Sequence, residues 1–472
     1  MATPPVPDAT NAPTSAPSLE EVGRNDLGAR GLNSALALAD NCAYVGSRGQ
    51  APVAVLDIAD PAHPAQVGSL AARAGTSTRE LRADERERLL VVMSLALTAQ
   101  GANRFDLYRW AAGDCAHPAV AGFYDFGAHS PHEFFYWAGQ GRRLLFASMF
   151  GAGGSAAELQ VIEVTDPTSP RRIGSWSSPV GILHSISIDP DNRRAYLSLW
   201  TSGFAVADVS DFTSNAANPQ VRLLTPAGSF LRPLPGGNVH SAVRLADGNH
   251  VLLTDERYPP NCPYGPARIV DVSDPANLRA VATLKAPEND PAACARAPTG
   301  TYTSHNPTLT TSLALISWYS SGLQVFDVSD PANPVRLAEF RPTQTEPGQR
   351  DPALGATQAM TWSYPVLRNG LIYVADVNQG LEVLRYHGPH QDEPATATLK
   401  EGNSNLAATQ QSPSPSPSAQ PQASPPTPQP SGKAATTRSR VSATQALLAL
   451  ALLLAAAATA TALVMRRRRG RP

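Results

Sequence analysis

Short apolar runs of about five residues recur through the middle of the chain, alternating with polar positions and closing on similar turns. "VAVLDIADPAHP" ends at Pro64, "LQVIEVTDPTSP" at Pro170, "FAVADVSDF" at Phe212, "ARIVDVSDPANL" at Leu278 and "LQVFDVSDPANP" at Pro334. Two weaker copies are "NRFDLYRWAAGDCAHP", ending at Pro118, and "GLEVLRYHGP", ending at Pro389. Alternation with period two predicts half-buried β-strands. In the D-P-x-x-P turn, proline fixes φ and aspartate bonds the local backbone. Anchoring each copy on Asp57, Asp106, Glu163, Asp208, Asp271, Asp327 and Glu382 gives intervals of 49, 57, 45, 63, 56 and 55 residues.

Each copy carries the same succession. A short first strand often starts at histidine. A turn such as "DPDN" (189–192) or "ADGN" (246–249) leads to an apolar second strand such as "AYLSLW" or "LIYVAD". The V-x-D-V strand, the turn and a fourth strand such as "RRIGSW" or "VRLAEF" complete the unit. Four short strands per unit, repeated seven times, predict an all-β, seven-bladed β-propeller. The last copy supplies only three strands. "LEEVGRND" (19–26) resembles the fourth strand "AQVGSL" and is expected to complete that blade, removing exposed strand edges.

The ends of the 472-residue chain differ from its middle. Residues 1–18 lack large apolar side chains and are expected to be disordered. The propeller is expected over 19–402. Residues 403–440, with "QSPSPSPSAQPQASPPTPQPSGK", read as a disordered Pro/Ser-rich stalk. "ALLALALLLAAAATATALVM" (446–465) is 20 residues without a charge, long enough for one transmembrane helix. The basic tail 466–472, "RRRRGRP", places the C-terminus in the cytoplasm and the propeller outside the cell. No apolar export signal follows Met1. Either the true start lies upstream or the protein inserts by its tail, and the first is favoured. The net charge of −1 provides no basic face, so no nucleic-acid partner is expected.

Four cysteines fit an exported domain with two disulfides. Cys262–Cys294 is the favoured pair, a bridge contributing about 3–4 kcal/mol by loop entropy. Cys42 and Cys115 are equally readable as simple buried thiols.

At "VFDVSDPANP" and its copies the sequence resembles the LVIVD-repeat family. The resemblance covers roughly residues 19–405 and extends to "AYVGSR" (43–48), "STREL" (77–81), "HEFF" (132–135), "HSAV", "TDE" (254–256), "SHNPT", "WSYP" (362–365) and "GNSN" (402–405). It implies the propeller fold but no defined chemistry. More distantly similar propellers, the selenium-binding proteins and methanethiol oxidases, are linked to a histidine-bound metal.

The histidines at the strand starts carry the candidate chemistry. His240 lies 11 residues before Val251, as Asn33 does before Tyr44 and Trp362 before Tyr373. His132, His184 and His305 match within about one residue, and the second unit offers Thr78–Glu80 there. First strands surround a propeller's central channel, so these positions form a ring at one end. His129, His132, His184, His240 and His305 are therefore candidate ligands for copper, zinc or iron. Arg79, Glu80, Asp255 and Glu256 are candidates for an acid/base or supporting role. Ser185, Ser241 and Asn306 are placed to orient the rings. The plainer alternative is an inherited histidine that only bonds the neighbouring blade's backbone. His63, His117, His387 and His390 read as surface residues and His250 as structural. The insertions 258–266 and 341–356 are expected to frame the mouth, with Tyr258, Tyr264 and Trp318 lining it. "FGAGGS" (150–155) starts no helix and is not a phosphate loop. No hydrolase motif appears.

Two functions follow. One is a cell-surface binding or scaffolding module docking a small-molecule or protein ligand at its mouth. The alternative is a metal-dependent oxidoreductase using the histidine ring.

Overall fold

The computed structural model describes residues 16–149, 158–258, 261–297, 300–351, 354 and 359–408. Among these residues the chain is almost wholly β, with helices of at most six residues. Five sheets hold four antiparallel strands each. A sixth holds eight, two four-stranded halves joined at the single pair Ser47↔Thr78.

Within each unit the strands run in chain order from the axis outward. The first and second strands of neighbouring units are linked around the ring. Ser34 Oγ donates to Thr78 O (2.7 Å), Ser148 Oγ to His184 O (2.6 Å) and Ser317 Oγ to Ser363 O (2.6 Å). Asn33 Nδ2 donates to Asp376 O at 3.1 Å and closes the circle. This is a β-propeller. Its core lies between sheets: Phe135, Leu144 and Val161 of one pack with Ile186, Leu197 and Phe212 of the next. Each such side chain fully buried contributes about 1.5–3 kcal/mol.

The expected closure is present. Ser18–Asn25 pairs antiparallel with Gly380–His387 as the outer strand of the last sheet. It also reproduces the repeat's irregularity. Five outer strands carry a register shift at one place, and Glu21/Gly23 repeats it opposite Leu384 and Val383. Gly23 and Gly122 occupy equivalent positions, against the next unit's turn. A Cβ there would meet Pro61 O at 2.3 Å and Pro167 O at 2.1 Å, so only glycine fits.

Two sequence anchors require correction. The V-x-D-V strand ends on its acid in Val53–Asp57, Leu159–Glu163, Phe204–Asp208, Ala267–Asp271 and Leu323–Asp327. In the two weaker copies the equivalent residue is Arg109, opposite Leu89 as Asp57 is opposite Cys42, and Arg385, next to the pair Ile372↔Leu384. Asp106 and Glu382 lie three residues earlier in their strands and are buried. The last unit also swaps charges. In three other units an acid faces arginine on the outer strand, as Asp271 faces Arg279 (2.7 Å); here Arg385 faces Glu20 (3.5 Å).

Both disulfides are formed: Cys262–Cys294, as favoured, and also Cys42–Cys115, with Cα separations of 6.0 and 5.9 Å. The second corrects the reading of Cys42 and Cys115 as thiols, and it joins the first two units.

The described chain continues past 402, to 408. This strap crosses the far ends of the first strands. Lys400 Nζ bonds Leu38 O and lies 3.4 Å from Glu85; Leu367 N donates to Lys400 O (2.9 Å) and Gly402 N to Thr308 Oγ1 (3.1 Å). Asn405 exchanges hydrogen bonds with Ala138 N (2.7 Å) and O (2.8 Å). Among the described residues no helix is long and apolar enough to cross a membrane. The expected span at 446–465, the basic tail, most of the stalk and most of the N-terminal segment lie outside the described residues, as does all of 150–155.

Candidate functional site

The first strands are irregular where the seats lie. Pairing shifts between Asn33 and Leu36, Thr78 and Glu80, Pro131 and Phe134, and Val239 and Ser241. Such bulges re-aim side chains. Here they put His132, Glu133, His240 and, in the second unit, Arg79 at the mouth of the axis. The seat expected over Thr78–Glu80 thus belongs to Arg79. His184 and His305 precede their strands, each donating its backbone N–H to a second-strand serine, Ser198 O (2.7 Å) or Ser317 O (2.9 Å).

Four of the five candidate histidines converge. His132 and His184 approach to 2.9 Å between Nε2 atoms, and the His184–His240 and His240–His305 ring centroids are each 4.1 Å apart. His129 sits half-buried in the turn before its strand and does not line the cavity. The cavity measures about 310 Å3, and its lining includes Arg48, Arg79, Glu80, Glu133, Trp200 and Glu256 beside the histidines.

The hydrogen bonds settle which ring nitrogen faces the cavity. His184 Nδ1 lies 3.2 Å from His240 O and His305 Nδ1 2.8 Å from Trp362 O, and a carbonyl only accepts. Both Nδ1 atoms therefore carry the proton, and both Nε2 atoms keep a lone pair. His132 Nε2–H then donates to His184 Nε2. Ser241 Oγ donates to Asn306 Oδ1 (3.2 Å), leaving His240 Nδ1 to donate to Ser241 Oγ at 2.7 Å. His240 Nε2 faces Glu133 Oε1 at 3.6 Å and Glu256 Oε2 at 3.8 Å. Backbone bonding between blades and an inward-facing ring nitrogen that carries a lone pair are thus one device.

Two groups arise that share His240: Glu133–His184–His240 and His240–Glu256–His305. In each, one ligand atom per residue lies within 4.8 Å of the others, and every member is buried. His305 Nε2 is buried with no hydrogen-bond partner. Imidazole and carboxylate donors suit zinc, copper or iron. Burial lowers all four histidines: His184 to about 3, and the others well below the usual 6.5. The rings are therefore neutral and able to ligate at neutral pH. Burial raises Glu256 to about 7, against a hydrogen bond from Tyr319 OH. Burial and neighbouring Glu80 raise Glu133 well above the carboxylate range, with Tyr364 OH at 3.4 Å.

The remaining candidates divide. Glu80 lines the cavity and accepts from Arg82 Nη2 at 3.0 Å. Asp255 points the other way along its strand and is ion-paired with Arg268 at 2.6 Å. Of the expected aromatic residues only Tyr258 lines the cavity. Trp318 is instead fully buried between sheets, and Tyr264 bonds Gly300 O at 2.9 Å away from the mouth. Insertion 341–356 does reach the mouth, through Asp351, which accepts from Arg48 Nε at 2.6 Å. His63 and His117 sit exposed beside Asp60 and Asp114, and His250 bonds Asp247, as expected.

A protein-family model described as the LVIVD repeat matches residues 31–72, the span of the first four-stranded unit. The chain therefore carries an LVIVD repeat in that unit. A solved structure of a protein from Lactobacillus plantarum aligns over 65% of this chain and 86% of its own, at 13% identity and a TM-score of 0.47. No curated protein matches.

Sequence reasoning missed several site residues. Glu133, Arg48 and Tyr364 stood inside the motifs HEFF, AYVGSR and WSYP without being assigned. Trp200 stacks on His184 (centroids 4.7 Å, 13°) and Tyr319 on Trp362 (5.4 Å, 13°). Both open a tight turn closed by Gly203 or Gly322, and both hold positive φ, 52° and 40°. For bulky residues that conformation is strained, a cost seen where side-chain placement matters. The signal was present as "WTSG" and "YSSG".

Proposed function

We propose that this protein is a seven-bladed, membrane-anchored propeller outside the cell, whose axial cavity binds a transition-metal ion, copper, zinc or iron. The carrying observation is the pair of buried three-residue groups sharing His240, with Nε2 lone pairs turned inward. Glu133, His184 and His240 would hold the ion, with Glu256 and His305 as the adjoining set. Seven successive four-stranded units support the blade count, and the uncharged 446–465 segment before an arginine tail supports the anchor.

The second reading, an oxidoreductase, is favoured by the cavity beside the ligands, which leaves room for a substrate. A bound redox-active ion would supply electron transfer. The chain's own part is to exclude water through Trp200 and Trp362 and to fix the imidazole tautomers from behind.

Elemental analysis of the purified full-length chain tests the metal. Near-stoichiometric metal is expected in the parent and none in a His184→Ala/His240→Ala variant that keeps its circular dichroism. No metal after repletion with copper, zinc and iron would sink the reading.

A further inference from the structure

We propose that the cavity receives a small organic monocarboxylate, its two oxygens clamped by the Arg79 guanidinium and its apolar body lodged against Trp200, Tyr258 and Trp362. The proposal shares the cavity with the metal reading but does not require the ion.

The argument begins with charge. Three arginines stand at or behind the mouth. Arg48 is spoken for by Asp351 at 2.6 Å and lies over the Trp362 ring at 4.2 Å. Arg82 is spoken for by Glu80 at 3.0 Å. Arg79 lines the cavity, 5.9 Å from the Trp362 ring, and has no hydrogen-bond or ion-pair partner among the described residues. Burial and nearby Arg48 lower it only to about 10, so it stays charged at neutral pH. A divalent ion between Glu133 and Glu256 would be balanced by them. One cation is left over with or without the ion, which fits a monoanion. The Glu80 carboxylate beside Arg79 disfavours a second negative charge.

Shape and lining narrow the class. A cavity of about 310 Å3 equals roughly ten water volumes at ~30 Å3 each, the small end of ligand sites. Leu95, Pro131, Trp200, Tyr258 and Trp362 form its apolar lining. A planar guanidinium offers two parallel N–H donors that match a carboxylate better than a point charge does. The bulge between Thr78 and Glu80 gives the second unit an arginine where four other units carry imidazole.

The test uses the full-length chain in non-ionic detergent, chelator-treated and metal-loaded in parallel. Acetate, butyrate, phenylacetate and benzoate are titrated by calorimetry against neutral benzamide and inorganic phosphate. Saturable binding of at least one monocarboxylate at millimolar concentration or below is expected in both preparations, with benzamide silent. Arg79→Gln should weaken it about tenfold or more, the loss expected for a charged hydrogen-bonding group. Arg79→Lys should retain part of it. Arg193→Gln, which removes a cation elsewhere on the surface, should change nothing. The proposal is overturned if no monocarboxylate binds, if phosphate or benzamide binds as well, if binding appears only with metal, or if folded Arg79→Gln binds normally. An empty elemental analysis alongside Arg79-dependent binding would remove the metal reading and leave this one standing.

Discussion

At the scale of single residues, one substitution of side-chain environment explains a misread anchor. The periodic pattern places Glu382 at the acidic strand end, because E-V-L resembles V-x-D-V. Pairing puts Arg385 there instead, and Glu382 faces the interior with both carboxylate oxygens unpartnered. Burial raises its pKa from 4.5 to about 9. In the unfolded chain the group ionises near 4.5, while in the fold it holds its proton to about 9. The mismatch is absent below 4.5 and opposes folding increasingly as pH rises between those values, by up to about 1.4 kcal/mol per pH unit. Glu382→Gln should therefore be close to the parent near pH 5 and more stable by about 2 kcal/mol near pH 8 in urea unfolding. A gap that does not grow with pH would refute this. The histidine seats were legible because they recur at one offset. Glu133, Trp200 and Tyr319 were not, since their roles depend on a bulge or a strained turn that leaves no periodic trace.

At the scale of elements, the seam of the ring was readable and the reason is chemical. Val22 and Gly23 repeat the "VG" of Val67 and Gly68, and the glycine is required by the turn packed against it. Removing residues 18–25 leaves the edge of Gly380–His387 unpaired. The apparent Tm should fall by roughly 5 °C or more and aggregation should rise, measured by scanning fluorimetry with light scattering. An unchanged melt would mean that the seam contributes nothing. The disulfide between Cys42 and Cys115 was harder to foresee, because its partners belong to different blades and their spacing fits no local loop.

At the scale of the whole molecule, repeat spacing gave the propeller, while the strap escaped notice. The expected boundary at 402 cuts through "KEGNSN", yet Lys400, Glu401, Asn403 and Ser404 on both sides of it are buried. Lys400 and Asn405 are bonded by strand ends that the closed ring brings together, a partnership that no local pattern encodes. The proposed topology is open to a direct check. Protease added to intact cells should remove the propeller while a cytosolic marker survives; survival of both would reverse the orientation.

The strap also decides how the molecule bears load. It is the last described segment of the chain, and it enters the ring at its hub, hydrogen-bonded to the strand ends at Leu38, Ala138, Thr308 and Leu367. Tension on the tail therefore runs along the hub and strains those bonds together, sparing the outer strands. The first thing to yield under such a pull is the strap itself, before any blade is unzipped.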